Sequence, residues 1–272
     1  MFQSREIPIE LFKPGSVLLC KFHHEDRLPV RQQTLEMSLR HKFNMRLKHR
    51  WFSTRAGERE HNGVFSRLSE TVMKLLQNHP VVDRVLNEVH KGYDLLILEV
   101  ESSCKDFANP HLDSIIRLAP CPSIVIFNSE LSPSFGSKLL VYTDNSQASR
   151  YAFEVGLILT PDDSPPPIVL STIHSSAYGI RSHVREQAIA IEAKMEFIRQ
   201  LRKAYDVDVM SEVRVSDYPE QTILEVARSL NVKTILLGNR LQPGSAAKYL
   251  GPMIDHLRKQ NEYQVIVVNS FE

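Results

Sequence analysis

Short apolar runs rich in β-branched residues alternate along the chain with longer amphipathic stretches of helical period. The short runs are typical of buried strands, and the longer stretches of the helices that cover them. The pattern predicts strands at 16–22, 43–51, 94–100, 123–128, 138–143, 168–173, 208–215, 234–238 and 264–269. It predicts helices at 30–41, 64–76, 82–91, 110–118, 147–159, 182–205, 219–230 and 252–259. This alternation predicts an α/β fold with a mainly parallel sheet.

The pattern restarts after a linker-like segment, SELSPSFG at 129–136. The helix and strand at 85–98 match those at 223–238, and the strand that ends at Asn128 matches the strand that ends at Asn269. The offsets are about 138 and 141 residues (223 − 85 and 269 − 128). The sequence therefore predicts an internal duplication with two domains, at 1–132 and 133–272.

Composition and charge narrow the class of protein. The 33 Lys and Arg residues nearly balance the 32 Asp and Glu residues, so no global field gathers nucleic acid or anionic lipid. No apolar run approaches the roughly 20 residues of a membrane-spanning helix, and the first ten residues lack a signal-peptide core. The three cysteines, Cys20, Cys104 and Cys121, are widely spaced, which favours a reducing compartment over a disulfide framework or a zinc site. We expect a cytoplasmic protein.

Three segments carry a family resemblance. KLLVYTDNSQASRYAFEVGLIL (138–159), VRVSDYPEQTILEVARSLNVKTILLGNR (213–240) and HLDSIIRLAPCPSIVIFN (111–128) resemble segments of the universal stress protein family. The matches cover nearly all of 138–272 and roughly 82–128, whereas residues 1–81 match only by pattern. The resemblance implies two Rossmann-like units of the adenine-nucleotide alpha hydrolase type, each with a mainly parallel five-stranded sheet. It also implies a pseudo-dimer whose closing strands pair across a pseudo-twofold axis.

Many members of the family bind ATP with a loop written Gly-x2-Gly-x9-Gly-Ser/Thr. Glycines let the backbone approach phosphates, and a helix N-terminus offers free N–H donors. Gly238 and Gly251 occupy the first and third glycine positions of this loop. Leu241 replaces the second glycine, and Pro252 replaces the hydroxyl residue. The resemblance therefore implies an impaired loop, with ATP or another adenine nucleotide as the candidate cofactor.

Other residues of the second half complete the candidate nucleotide site. Asp144 follows the first strand, where the family resemblance implies a hydrogen bond to ribose or adenine. The alternative is that Asp144, Asn145 or Ser146 only caps the helix that follows. The backbone of Gly244 and Ser245, and the charge of Arg240, are candidate substitutes for the missing loop contacts. The candidate residues together are Asp144, Asn145, Ser146, Gly238, Arg240, Gly244, Ser245 and Gly251.

The first half lacks a comparable loop. After its strand at 94–100 the chain continues ESSCKD (101–106), with no glycine and with an acid where phosphate would approach. Its first strand ends in KFHH (21–24), with no aspartate. We expect this half to bind no nucleotide and to serve by pairing with its twin.

Several other clusters have an ordinary structural explanation. The HHED run (23–26) holds four metal-ligand types, but neighbouring loop residues rarely point at one ion, so we expect a solvated loop and no metal site. The basic strip at 40–55 suits anionic lipid or nucleic acid, but such alternation is more typical of the wet face of an edge strand. Cys104 is expected to be a plain thiol, and Glu192, Glu196 and Arg199 to form surface ion pairs. No serine carries a nucleophile-elbow pattern, so we predict no catalytic residues and no enzyme.

These observations lead to one main functional hypothesis and two alternatives. The main hypothesis is a non-catalytic stress-response or signalling module of the universal stress protein type that acts through protein contacts or a small ligand. It pairs with itself inside one chain, with a homodimer as an option, and nucleic acid is not an expected partner. The first alternative is the cytoplasmic regulatory domain of an ion or amino-acid transporter, with the basic strip facing the membrane or the transporter. The second is an ATP-binding stress protein.

Overall fold

The structure, a computed structural model, describes residues 16–23, 46–53, 80–102, 105–128, 138–160, 164–174, 183–241 and 251–271. Nine strands form one sheet in this part of the chain: β1 Ser16–His23, β2 Arg46–Ser53, β3 Leu95–Val100, β4 Ser123–Phe127, β5 Leu139–Thr143, β6 Ile168–Ile173, β7 Ser211–Val215, β8 Thr234–Leu241 and β9 Gln264–Phe271. The helices described are α1 Pro80–Val89, α2 Lys105–Leu118, α3 Gln147–Leu159, α4 His183–Tyr205, α5 Pro219–Ser229 and α6 Pro252–Arg258.

The strands lie in the order β2-β1-β3-β4-β9-β8-β5-β6-β7. Every neighbouring pair is parallel except β4 and β9, which are antiparallel. Each parallel connection therefore needs a crossover, and the helices supply it on both faces of the sheet. The predicted α/β fold with a mainly parallel sheet is confirmed. In the described residues the first half of the chain supplies four strands and the second half five.

Burial on both sides explains why the strands are continuous apolar runs. Helices α1, α2, α5 and α6 cover one face, where Leu96, Val125 and Val267 belong to one core cluster. Helices α3 and α4 cover the other face, where Ile97 and Ile266 belong to a second cluster. β3, β4 and β6 are buried along their whole length. A fully buried parallel strand has no wet face, so it shows no alternation of apolar and polar residues.

The junction of the two halves is the antiparallel pair β4–β9. Val125 lies opposite Val267, and the register is symmetric about this pair, from Ser123 opposite Asn269 to Phe127 opposite Val265. The predicted pairing of the closing strands is confirmed. Asn269 joins the halves further, because its Nδ2 donates to Ser123 Oγ at 3.1 Å.

The sequence correspondence of the closing strands is wrong by one residue. An offset of 141 aligns Val125 with Ile266, yet these two side chains lie in core clusters on opposite faces of the sheet. Val125 shares its face with Val265 and Val267, so the true offset must be even. Because side chains alternate between faces, a shift of one residue exchanges the two faces, and apolar composition alone cannot detect it.

One helix differs from its predicted bounds, and another is buried over only part of its length. Helix α2 begins at Lys105, five residues before the predicted start, so Pro110 lies within it. In α4, Ile189 and Ala193 are exposed, whereas Ile198 and Leu201 are buried. The 23 residues of α4 span about 34 Å, and the six residues of β6 span about 20 Å. The helix is longer than the strand, and residues 184–193 in its first half are exposed or partly buried.

Candidate ligand-binding edge of the second half

The carboxyl ends of β5, β6 and β8 meet at one edge of the second half. Asp144 follows β5, His174 follows β6, and Gly238 lies near the end of β8. Gly251 stands at the start of α6, which follows β8, so topology brings it to the same edge. Open parallel sheets bind ligands at this edge, because the loops there are free of the strand ladder. Among the predicted site residues, Gly244 and Ser245 lie outside the described residues.

Ser146, and not Asp144, is the N-cap of α3. Its Oγ accepts the backbone N–H of Ser149 at 3.1 Å. Asp144 stands one step earlier and uses Oδ1 to accept the N–H of Ser146 at 2.9 Å. Asn145 between them has φ +74°, a left-handed conformation that asparagine tolerates better than most residues. The Asp-Asn-Ser sequence therefore builds the tight turn into the helix, and the side chain of Asp144 remains exposed.

Buried hydroxyl groups hold this turn in place. Ser149 Oγ donates to the carbonyl of Ser146 at 2.8 Å. Because that uses its one proton, the 2.8 Å contact between Ser149 Oγ and Thr143 Oγ1 must have Thr143 as the donor. Thr143 Oγ1 in turn accepts the N–H of Asn145 at 3.1 Å, and Ser171 Oγ donates to the carbonyl of Thr143 at 2.8 Å. The protons of these hydroxyls are all donated within the turn and its supporting strands, which fixes the backbone around Asp144.

A charged neighbour of Asp144 was missed by sequence reasoning. The turn contacts α4, where Asn145 Nδ2 donates to the carbonyl of Ala193 at 3.4 Å. The next residue, Lys194, is partly buried, and this burial lowers the pKa of its ammonium group, while the carboxylate of Asp144 acts in the opposite direction. Lys194 is 50 residues from Asp144 and belongs to no motif, so only the packing of α4 beside the turn reveals it.

Tyr142 and Thr172 make a second polar contact below the edge. Tyr142 Oη and Thr172 Oγ1 lie 2.8 Å apart on the neighbouring strands β5 and β6. Burial raises the pKa of Tyr142, and the carboxylates of Asp144 and Glu220 raise it further, so the phenol is neutral at physiological pH. The edge thus combines an exposed carboxylate, a partly buried ammonium group and a neutral phenol.

Gly238 is required by packing. A Cβ atom at this position would lie 2.2 Å from the carbonyl carbon of Ala148 and 2.3 Å from the nitrogen of Ser149. The first turn of α3 therefore lies directly on the backbone of β8, a contact that only glycine permits. The space beside this glycine, which the family resemblance gives to phosphate, is filled by the helix on this face.

The strand also continues where the resemblance implies a loop. β8 was predicted to end at Gly238 but runs on to Leu241, with Asn239 opposite Asn269, Arg240 opposite Ser270 and Leu241 opposite Phe271. Asn239 Nδ2 donates to Asn269 Oδ1 at 3.1 Å, which fixes this extension. A phosphate loop starting at Gly238 would have to break these pairs. The described part of the site therefore does not fit a family-type triphosphate loop.

Gly251 and Arg240 occupy the outer part of the edge. Gly251 is the N-cap of α6, its carbonyl accepts the N–H of Asp255 at 3.0 Å, and a Cβ there would meet none of the described residues within 4 Å. Arg240 is exposed. Among the described residues, no contact of Gly251 requires glycine, in contrast to Gly238.

The remaining predicted clusters can be located in part. Arg199 forms ion pairs with Glu192 and Glu196, as predicted. β2, in the basic strip, is an outer strand of the described sheet. Within the ranges that the structure describes, no three His, Cys, Asp or Glu side chains are grouped to hold a metal ion, and no helix is long and apolar enough to cross a membrane. Cys104 and residues 24–26 of the HHED run lie outside those ranges.

Comparison with known proteins identifies the second half. Residues 137–269 match the model of the universal stress protein family, so this half carries a universal stress protein domain. No curated protein sequence matched the chain.

Solved structures resemble the chain over nearly its full length. A putative universal stress protein from Pseudomonas aeruginosa UCBPP-PA14 has a TM-score of 0.59 at 14% identity, with 95% of this chain and 94% of that chain covered. A protein of unknown function from Pseudomonas aeruginosa PAO1 gives 0.58 at 14% identity, with the same coverage. A universal stress protein from Archaeoglobus fulgidus DSM 4304 gives 0.53 at 13% identity, covering 94% of this chain and 98% of that one. At these identities the likeness is one of fold.

Proposed function

We propose that the protein is a non-catalytic stress-response module of the universal stress protein type, and that its second half has lost the loop contacts that bind phosphate. One observation carries this proposal: β8 stays paired with β9 through Leu241, and Gly238 is pressed against α3. The backbone N–H groups and the open space that a phosphate loop requires are thereby committed to packing. A ligand at this edge would be held through Asp144 and its neighbours.

The polar groups at this edge support a binding role over a catalytic one. The hydroxyls of Thr143 and Ser149 are engaged in supporting the turn, and burial keeps Tyr142 protonated. Asp144 is rigidly presented and lies within electrostatic reach of Lys194. A fixed carboxylate of this kind suits recognition of a hydroxyl or amino group on a ligand.

We further propose that the first half is a second, degenerate unit of the same fold. Two features support this: the symmetric register of β4 and β9, and the matching placement of α1 and α2 with α5 and α6 on one face of the sheet. Its role is to cover β9, which would otherwise be an edge strand. The transporter-domain alternative stays a prediction.

Calorimetric titration with adenosine, AMP, ADP, ATP and cyclic AMP tests the proposal. If no phosphate loop operates, affinity should not rise with the number of phosphates, and the series should be flat or without measurable heat. Any heat that is seen should disappear in Asp144→Ala. Ser164→Ala, a half-buried position before β6 and away from this edge, serves as a matched control.

A rising series would contradict the proposal. Suppose that ATP binds at least tenfold more tightly than AMP and that Asp144→Ala abolishes this binding. The edge would then have to rearrange to bind phosphate. The ATP-binding stress protein would then be the better description.

A further inference from the structure

β7 is the outer strand of the second half. In the described sheet it pairs only with β6. Two hydrogen bonds at its ends fix which backbone groups face β6: Val169 N–H donates to Met210 O at 2.9 Å, and Ser216 N–H donates to Ile173 O at 2.8 Å. In a parallel ladder, residues whose backbone groups point to the same neighbour alternate along the strand. The even-numbered residues from 210 to 216 therefore face β6.

The odd-numbered residues consequently face outward. Ser211, Val213 and Val215 direct their N–H and C=O groups to the free edge, where a further strand would bind. An antiparallel partner strand exchanges two hydrogen bonds at each such residue. A twofold axis through Val213 engages all three of these residues in such pairs, whereas an axis through residue 212 or 214 engages only two of them.

The side chains select the same centre. Glu212 and Arg214 flank Val213, and Arg214 Nη2 lies 2.6 Å from Glu212 Oε1 within the strand. Both are half-exposed, with 36% and 43% of the side chain accessible. Antiparallel pairing about Val213 places Glu212 of one copy opposite Arg214 of the other, at positions where side chains are closest. Centring on residue 212 or 214 would instead oppose like charges.

We propose that two copies of the protein associate through β7, in antiparallel register about Val213. The pairing provides six main-chain hydrogen bonds, two at the Val213 pair and two at each of the two Ser211–Val215 pairs. It places two Glu212–Arg214 pairs across the axis. It also covers Met210 and Val215, which are large apolar side chains with 61% and 44% exposure. The sheet then runs continuously through both copies.

The opposite edge of the sheet lacks this self-complementarity. β2 carries Arg46, Lys48 and Arg50 at alternate positions. Antiparallel pairing of β2 with its own copy would oppose like charges, which disfavours association. The charge pattern therefore predicts a closed dimer through β7, whereas association through both edges would give an open chain of copies.

Sedimentation velocity across micromolar to high micromolar concentrations tests the proposal with a charge-exchange design. Glu212→Arg and Arg214→Glu should each be monomeric, because each opposes like charges at two places. An equimolar mixture of the two variants should form a heterodimer, since every pair across the axis is then opposite in charge. The double variant E212R/R214E should dimerise as the original protein does.

The mixing result separates association from folding. A variant that simply failed to fold would not be rescued by a second folding-defective variant, and circular dichroism of each should match the original chain. A monomeric original protein at high micromolar concentration would overturn the proposal. So would a dimer that both single variants retain, because the interface would then lie elsewhere. Neither result bears on nucleotide affinity, so the proposed function is tested separately.

Discussion

Replacing Gly238 with alanine should destabilise the fold whether or not a ligand binds. The new Cβ would stand 2.2 Å from the carbonyl carbon of Ala148, so β8 and α3 would have to separate by about 1.2 Å to reach an ordinary contact near 3.4 Å. The helix cannot retreat cheaply, because ten of its thirteen residues are buried. Overpacking of this kind costs about 1–3 kcal/mol, and we expect the upper end of that range.

Urea unfolding followed by far-ultraviolet circular dichroism measures this loss. Gly251→Ala is the matched control, since Gly251 is also a glycine of the predicted loop but a new Cβ there has no neighbour within 4 Å in the part of the chain that the structure describes. We expect a change within about 1 kcal/mol for the control, the cost of alanine at an N-cap. In a thermal scan, a loss of about 3 kcal/mol should lower the Tm by roughly 6–12 °C.

The outcome decides between packing and ligand binding as the reason for the glycine. If Gly238→Ala unfolds within about 0.5 kcal/mol of the original protein, the packing argument is refuted. Retained stability together with lost nucleotide binding would assign the residue to the ligand. Equal losses in both glycine variants would point to a general intolerance of this edge.

The remaining predictions concern a residue at the end of β4, a buried hydrogen bond and a buried thiol. Asn128→Ala should lower the free energy of unfolding in urea by about 2–3 kcal/mol, because Asn128 Nδ2 lies within hydrogen-bond distance of three carbonyl oxygens, of which Tyr263 O is nearest at 2.9 Å. Asn128 also has φ +53°, which glycine tolerates, so Asn128→Gly should cost less. Tyr205→Phe should cost about 1–3 kcal/mol by removing the hydroxyl donor of buried Glu154, whereas the exposed Tyr218→Phe should be neutral. Burial raises the pKa of Cys121 to about 11. At pH 8 its thiolate should therefore be about 100-fold scarcer than that of a thiol with a pKa of 9, and pulsed alkylation with mass spectrometry should find Cys121 protected. Since the folded state keeps a proton that the unfolded state releases, this thiol should lower stability as pH rises from about 9 to 11, and Cys121→Val should reduce that slope. Rapid native alkylation, or an unchanged slope, would contradict the assignment.

The sequence predicted most of the elements because their local signals agree with the packing. Helix α3 and strand β6 have the predicted bounds, since Ser146 supplies a cap and three prolines precede Ile168. The pairing of the closing strands followed from the family resemblance, which carries information on assembly that periodicity lacks. The position of Asp144 at the ligand edge followed from its place after a strand.

Other features depend on distances that a sequence pattern does not contain. Periodicity predicts the helix α4 but not which part of it lies over the sheet, so it does not show that Ile189 is exposed while Ile198 is buried. β8 continues past Gly238 because Asn269 of β9 pairs with Asn239, which lies 30 residues earlier in the chain. The packing contact of Gly238 with α3 is a further example, because a sequence pattern does not distinguish a glycine of a ligand-binding loop from a glycine that packs under a helix.

The junction between β4 and β9, the seam of the sheet, determines when the sheet can close during synthesis. Ser123 and Asn269 are 146 residues apart, so β4 does not gain its partner on that side until β9 has left the ribosome. Through that interval the nascent chain displays SIVIF as an open edge, the type of segment that aggregates most readily. We expect the unfinished chain to depend on chaperones far more than the finished one. Contacts of such long sequence separation also form slowly in refolding, so closure of the seam should be the late step.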